Sequence, residues 1–233
     1  MSTSPSSRML LERQRGAQAG EIAARLRDEI VSGAIEGGAR LGQDALAARF
    51  SVSRMPVREA LRLLEAQGLV DVPPNRSAIV ARLSRDDLVD IFDMRACAEP
   101  LALGLALPHL TNAQIDRAAE IQREIENAPL DRFGDLNAEF HRTLHAPCGR
   151  PRLLAHIESL NALADRYLRL AIGTMDHQGP SDDEHHALLE ACRARDEASA
   201  RAVLTAHIMR ARDALAAAFD ERAHEPDRED ASL

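Results

Sequence analysis

The sequence predicts a mainly α-helical protein in two parts: an N-terminal winged helix-turn-helix with a small β-hairpin, and a C-terminal all-α antiparallel helical bundle. Three observations carry this. Two helical patterns joined by Ser51-Val52-Ser53 precede two short apolar runs split by turn residues. After Leu83 that strand signal stops, and stripes of helical period fill the remainder. Charge divides at the same place: residues 1–83 carry a net +3 and residues 84–233 a net -11.

Residues 1–19 read as a flexible arm of Ser, Pro and Arg without a sustained period. The stripe Ile22, Leu26, Ile30 marks a helix stopped by Gly33, and Gly37-Gly38 makes a turn. Leu46, Ala47 and Phe50 predict a short helix over 43–49. Ser53 is placed to cap the next helix, with Pro56 in its first turn and Val57, Leu61 and Leu64 as its buried stripe, ended by Gly68. The runs 69–72 and 78–81 flank Pro73-Pro74-Asn75-Arg76-Ser77, a hairpin signature.

The first domain spans 20–83 and the second 84–222, with a frayed tail over 223–233. Ser84 followed by Asp87 opens a helix to about Leu107. Five more helical patterns cover about 112–127, 130–146, 151–173, 181–194 and 196–222. Their lengths are too irregular for a repeat array.

Composition narrows the function classes. No run approaches the ~18 apolar residues of a membrane span, so no membrane partner is expected. Met1–Leu10 lacks the apolar centre of a secretory signal. Cys97, Cys148 and Cys192 form no CxxC pair, which points to a reducing cytoplasm. The net charge of -8 argues against nucleic acid only until it is divided by position. The chain has no Lys, so its basic contacts fall to Arg. With 3% aromatics and no Trp, base-stacking recognition of single strands is poorly provided for.

The helix from Ser53 projects Ser53, Arg54, Met55 and Arg58 from its N-terminal turns, with Val57 and Leu61 behind. Arg54 and Arg58, four apart, share a face at the end whose dipole favours phosphate. In a major groove an Arg fork meets guanine O6 and N7, while Ser53 and backbone N–H groups set register on phosphate. Arg49 at the preceding helix end and Arg76 at the hairpin tip extend this candidate set, Arg76 toward the minor groove. In an arbitrary helix two solvated arginines would be the plainer reading.

The stretches "IAARLRDEIVSGAIEGGARL" (22–41) and "LAARFSVSRMPVREALRLLEAQGLV" (46–70) resemble the GntR family of bacterial regulators. That resemblance implies a regulator bound to a double-stranded operator. Two positions depart from the family pattern. Ser77 stands where a wing-tip Gly is usual, and a left-handed backbone there would strain its Cβ. Asp44 stands where many members carry a phosphate-touching Arg.

In the second domain polar residues interrupt apolar stripes. Asn137 and His141, at i and i+4, lie among Phe133, Leu136, Phe140 and Leu144. His185 lies with Leu188, Leu189 and Cys192, and His207 with Ala200, Val203, Leu204 and Ala211. A single such His is more often a satisfied core residue. Three faces with one side-chain oxygen also suit Zn²⁺, or Ni²⁺, Mn²⁺ or Fe²⁺. His145 and His186 read as outward; His109, His156, His177 and His224 read as surface residues. Arg95 lies on the stripe Leu88, Ile91, Phe92, and a buried guanidinium needs a carboxylate. The partner is either a protein side chain, Glu99 or Asp135, or the carboxylate of a small organic acid.

"DMRACAEPLALGLA" (93–106), "LNAEFHRTLH" (136–145) and "EHHALLEACRARDEASARAVLTAHI" (184–208) resemble the FCD sensor domain of FadR-type GntR regulators. The resemblance implies a divalent metal held by Asn137, His141, His185 and His207, with Asn in place of the usual Asp, and a carboxylate effector at Arg95. It implies a repressor or activator rather than an enzyme; a homodimer follows from need, since paired half-sites multiply the modest specificity of one small wing module. Two rival readings remain: a metalloenzyme, though no general base is evident beside the imidazoles and a DNA-binding head would be unexplained, and a sensor of the metal itself.

Overall fold

The computed structural model describes residues 5–74, 76–171 and 178–224. The chain divides into two compact units, Met1–Leu83 and Ser84–Leu233.

In the first unit, helix α1 (Pro5–Val31) presents Ile22, Leu26 and Ile30 to α3 (Arg54–Ala66), which answers with Val57, Leu61 and Leu64; all six are buried. Helix α2 (Gln43–Arg49) adds Leu46 and Ala47 to this core. Its end is closed by Ser51 in a left-handed conformation (φ 54°), where the Val52 N–H donates to Ala47 O at 3.0 Å. That compact reversal is what turns α3 across α2. Gly68 (φ 72°) ends α3 in the same way, with the Leu69 N–H donating to Leu64 O at 3.0 Å.

Strands β1 (Arg40–Leu41), β2 (Val70–Asp71) and β3 (Ala78–Val80) form an antiparallel sheet in the order β1-β3-β2. Leu41 faces Ala78 and Val70 faces Val80 in register, and these four side chains are buried.

Three details differ from the sequence reading. The backbone is already helical from Pro5, within the stretch expected to be an arm. Met9, Leu10, Leu11, Glu12, Arg13 and Gln14 are strong helix formers, and helix propensity does not need an amphipathic period. Strand β1 was not expected, because two residues carry no alternation and its pairing with β3 is non-local. Ser53 occupies the N-cap of α3, yet its side chain makes no capping hydrogen bond.

In the second unit, α4 (Arg85–Ala106) lies against α7 (Pro151–Ala171) and α9 (Glu197–His224). Helix α5 (Asn112–Asn127) lies against α6 (Leu130–His145) and α8 (Gln178–Ala194). Contacts between α8 and α9 and between α4 and α6 join these layers. The start of α4 is fixed twice. The Ser84 hydroxyl accepts from the Asp87 N–H at 3.2 Å, and the buried Tyr167 hydroxyl sits 2.8 Å from Asp87 Oδ2 and 3.0 Å from Ser84 O. Thr111 and Gln114 form a reciprocal capping box at α5. The core includes Leu88, Ile91, Phe92, Leu103, Ile115, Ile121, Phe140, Leu188 and Leu204, each at most 1% exposed. Residues 172 and 173, expected to end α7, lie outside the described residues, as do 225–233 of the expected tail. Among the described residues no helix is long and apolar enough to cross a membrane.

Candidate metal centre and DNA-reading helix

On the first unit, α3 begins with Arg54 immediately after the cap, so Arg54, Met55 and Arg58 fall in its first two turns. Pro56, Val57, Ala60, Leu61 and Leu64 are buried beneath them. That amphipathic division holds the helix down and leaves Met55 about half exposed. Arg58 Nη2 donates to Met55 Sδ at 3.0 Å, and Arg54 pairs with Asp44 of α2. Asp44 thus does not simply forfeit a phosphate contact: it holds the Arg54 guanidinium beside the start of α3.

Arg49 is differently placed. Its Nη1 donates to Glu29 Oε2 at 2.8 Å, its Nη2 pairs with Glu29 Oε1, and its guanidinium lies 5.2 Å from the Phe50 ring centroid. This fork holds the Glu29 carboxyl below its usual range. Arg76 is exposed in the turn between β2 and β3, where its N–H donates to Pro73 O at 3.2 Å. Among the described non-glycine residues, positive φ occurs at Ser51 and Arg195, so Ser77 replaces the usual wing glycine without left-handed strain.

On the second unit, the polar interruptions meet. His141 of α6, His185 of α8 and His207 of α9 each offer a ring nitrogen, and these atoms lie within 4.8 Å of one another. Ring centroids are 5.2 Å apart for His141–His185, 5.2 Å for His141–His207 and 4.8 Å for His185–His207. Phe140 stacks on His185 at 4.2 Å and seals one side.

Two rings are oriented from behind. His185 Nδ1 sits 2.6 Å from Gln122 Oε1, and His207 Nδ1 sits 2.6 Å from Glu184 Oε2. Each contact places the ring proton on Nδ1 and leaves Nε2 as a lone-pair donor, the arrangement that supports metal-bound imidazole. Glu184 is held in turn by Arg210, and Gln122 by its amide donating to Asp182 Oδ1 at 2.7 Å.

In the cluster, His141 Nδ1 and Nε2 and His185 Nε2 are buried without a hydrogen-bond partner among the described residues, and so is Asn137 Oδ1, one turn before His141 on α6. Each such atom costs about 1–3 kcal/mol when left alone. A divalent cation answers several of these orphans at once, so the donor set fits one. Burial pushes the His141 ring well below the ordinary histidine value, and His185, His207, His145 and Arg95 push it further. His185 is likewise held well below it, by burial first and then by His207 and His186. The His141 and His185 rings are therefore neutral and able to donate at neutral pH. Asn137, on the same helix as His141, contributes no charge.

Arg95 is buried on α4, and its partner is Glu99: Nε donates to Oε1 at 2.9 Å, with the guanidinium 4.7 Å from the Phe92 ring centroid. Asp135, the other partner considered, pairs with Arg169 instead. His145, read from sequence as outward, is only 2% exposed. It lies one turn beyond His141, and that spacing returns it to the same face. His186 is exposed and pairs with Glu126, while His109 and His156 are exposed. His177 and the side chain of His224 lie outside the described residues.

Sequence reasoning missed Gln122, Glu184 and the full burial of Glu99. Gln122 carried a signal, because it adjoins Ile115, Ala118, Ile121 and Ile125 on the buried face of α5. Glu184 did not: its role depends on a residue of another helix.

Residues 18–80 match the bacterial regulatory proteins of the gntR family, and residues 90–211 match the FCD domain. The chain is 30% identical over 196 residues to the HTH-type transcriptional repressor GlaR of Escherichia coli (strain K12), covering 79% of this chain and 89% of that protein. It is 27% identical to the gluconate operon transcriptional repressor of Bacillus licheniformis, covering 75% of each. Among solved structures, E. coli McbR/YncC superposes with a TM-score of 0.72 at 23% identity, covering 88% of this chain and 98% of that one, a likeness of fold. A GntR family transcriptional regulator from Pseudomonas syringae pv. tomato str. DC3000 matches at 33% identity and a TM-score of 0.58, covering 88% and 87%.

Proposed function

We propose, given that this chain belongs to the GntR family of bacterial regulatory proteins and carries an FCD domain, that it is a homodimeric repressor whose operator affinity is set by a small organic acid bound beside a divalent metal. Its family is one of DNA-binding transcription regulators, and its FCD domain is the effector-binding part. The observation that carries the finer reading is the convergence of three buried imidazoles from α6, α8 and α9, two of them oriented from behind by Gln122 and Glu184.

Asn137, His141, His185 and His207 would hold the ion, Zn²⁺ foremost, with Ni²⁺, Mn²⁺ or Fe²⁺ as alternatives that imidazole and amide oxygen also suit. Bound there, it supplies a positive centre for a carboxylate oxygen. Arg95 offers a second positive group, already engaged by Glu99, so an incoming acid competes with an internal carboxylate for the guanidinium. Phe92 and Phe140 keep the surroundings apolar.

Arg95 and Glu99 lie on α4, the first helix after Leu83. An acid that draws on Arg95 acts on the element that directly follows the DNA-reading unit in the chain. It changes operator affinity only to the extent that it binds one arrangement of the protein better than the other. On DNA, the first turns of α3 supply Ser53, Arg54, Met55 and Arg58, and Arg76 the wing contact. Two copies on paired half-sites multiply the modest specificity of one module.

Native mass spectrometry of the protein purified without chelators tests this reading, reporting metal and co-purified acid together. It is followed by operator titration with metal, acid or both. The expected result is one ion per chain and an operator affinity that responds to acid only when metal is present. His185→Ala and His207→Ala should each strip zinc while leaving helical content intact. A response to metal alone would make the ion the signal, and turnover of a candidate acid would return the metalloenzyme reading.

A further inference from the structure

A second group of donors lies beside the first and is not explained by it. Glu99, His141 and His145 each offer one ligand atom, and these atoms lie within 4.8 Å of one another. All three residues are at most 2% exposed. Among the described residues, Glu99 Oε2 and His145 Nε2 have no hydrogen-bond partner, and neither nitrogen of His141 has one.

The orphaned atoms are unlike ordinary core polar groups. Glu99 is a fully buried carboxylate of which only one oxygen is used, by Arg95 Nε at 2.9 Å. That contact engages Oε1 and leaves Oε2 available. His145 stacks near His141, ring centroids 6.1 Å apart, one turn along α6. His185 and His207 each have an oriented partner behind the ring, whereas His141 has none on either nitrogen. No partner fixes the His141 tautomer among the described residues, so its one lone-pair nitrogen is available to either group, one at a time.

We propose that Glu99, His141 and His145 form a second divalent-cation seat, carboxylate-containing and alternative to the three-imidazole group, with which it shares His141. One ion occupies one seat at a time. Two dications sharing a single imidazole, with one carboxylate between them in a buried site, would repel strongly. The seats differ in chemistry: Asn137, His141, His185 and His207 form a neutral, nitrogen-rich set, while Glu99, His141 and His145 carry a negative charge and a hard oxygen. Carboxylate oxygen suits Mn²⁺ and imidazole suits Zn²⁺. The chain thereby sorts ions by position: Zn²⁺ among the three imidazoles and Mn²⁺ at Glu99.

The test is metal binding by the full chain after chelator stripping. Free Mn²⁺ is followed by its electron paramagnetic resonance signal, and Zn²⁺ by competition with a chromophoric chelator. The parent should bind one Mn²⁺ per chain, displaced by one Zn²⁺. His145→Ala and Glu99→Gln should weaken Mn²⁺ by at least about tenfold and leave Zn²⁺ near the parent value. His185→Ala and His207→Ala should do the reverse, and His141→Ala should weaken both. Glu99→Gln removes the partner of a buried guanidinium; if it fails to fold, His145→Ala still decides.

Mn²⁺ affinity that falls with His185→Ala but not with His145→Ala would overturn the second seat, as would a parent that binds no Mn²⁺. Simultaneous retention of both ions would overturn the one-ion sharing. The two readings fail separately. Loss of zinc binding in the parent with His145-dependent Mn²⁺ intact removes the three-imidazole centre and leaves this one.

Discussion

His185 Nδ1 and Gln122 Oε1 stand 2.6 Å apart, joining α8 to α5 behind the imidazole cluster. The Gln122 amide can point only one way, because its Nε2 donates to the carboxylate of Asp182 at 2.7 Å. Its oxygen must then accept, so His185 carries its proton on Nδ1 and turns a bare Nε2 toward His141 and His207.

The first prediction follows from that contact. Gln122→Leu fills the same buried space without the acceptor and frees the ring to take the wrong tautomer. Zinc affinity should fall about 10–100-fold, the usual scale for loss of an orienting partner, with helical content unchanged. Competition against a chelator of known affinity reads it. An unchanged affinity would mean that His185 is not a ligand.

On the DNA side, Arg54→Ala and Arg58→Ala should each weaken specific operator binding by about 1–3 kcal/mol. Non-specific binding should weaken less. Asp44→Ala should alter operator preference rather than fold, since it releases Arg54 from an exposed pair. Gel-shift titration at physiological salt checks all three; single Arg variants that bind like the parent would remove α3 from the base-reading role.

The buried imidazoles also set a pH dependence for the metal-stripped protein. His141, His145 and His185 are held below the ordinary histidine value, by burial first in each case. Beyond burial, Glu99 opposes that shift at His145, while Arg95 reinforces it at His141 and His145. The folded chain therefore binds fewer protons than the unfolded chain, whose histidines titrate near 6.5. Stability is fully present above that value and is lost as pH falls from it toward the depressed folded values. Thermal unfolding of stripped protein should show a lower Tm at pH 5.5 than at pH 7.5. His141→Leu should flatten that difference; a parent whose Tm is the same at both values would contradict the neutral, buried state of the rings.

The stripe-bearing helices were legible in the sequence because their buried faces repeat at helical period: α2 and α5 end where their patterns end, and α4 opens at Ser84. The positions of His141, His185 and His207 on buried faces were legible as polar breaks in apolar stripes, and their three rings meet. What stayed hidden depends on partners far apart in the chain. Strand β1 exists only through its pairing with β3, and Glu184 looks like a surface acid until His207 and Arg210 meet it. His145 was misjudged for a different reason. With Leu144 beside it, the apolar stripe looked complete without it, although i+4 from His141 returns to the same face.

The last prediction concerns Arg95, whose buried guanidinium already holds Glu99. Since the ion pair runs through Nε, it occupies one edge of a planar fork, and an acid must share or displace that carboxylate to gain its own contact. Arg95→Lys keeps a positive charge beside Glu99 but removes the fork, so the buried carboxylate is not stranded. The variant should bind operator and zinc as the parent does, since neither α3 nor the imidazoles are touched, yet lose most of its response to the acid. Arg95→Ala is the harsher comparison: it leaves Glu99 buried and unpaired, which costs several kcal/mol of stability on the order of a broken buried pair. Operator affinity measured with and without effector, for parent and Arg95→Lys, separates the roles. A lysine variant that responds at the parent's effector concentration would make Arg95 the structural partner of Glu99 and nothing more.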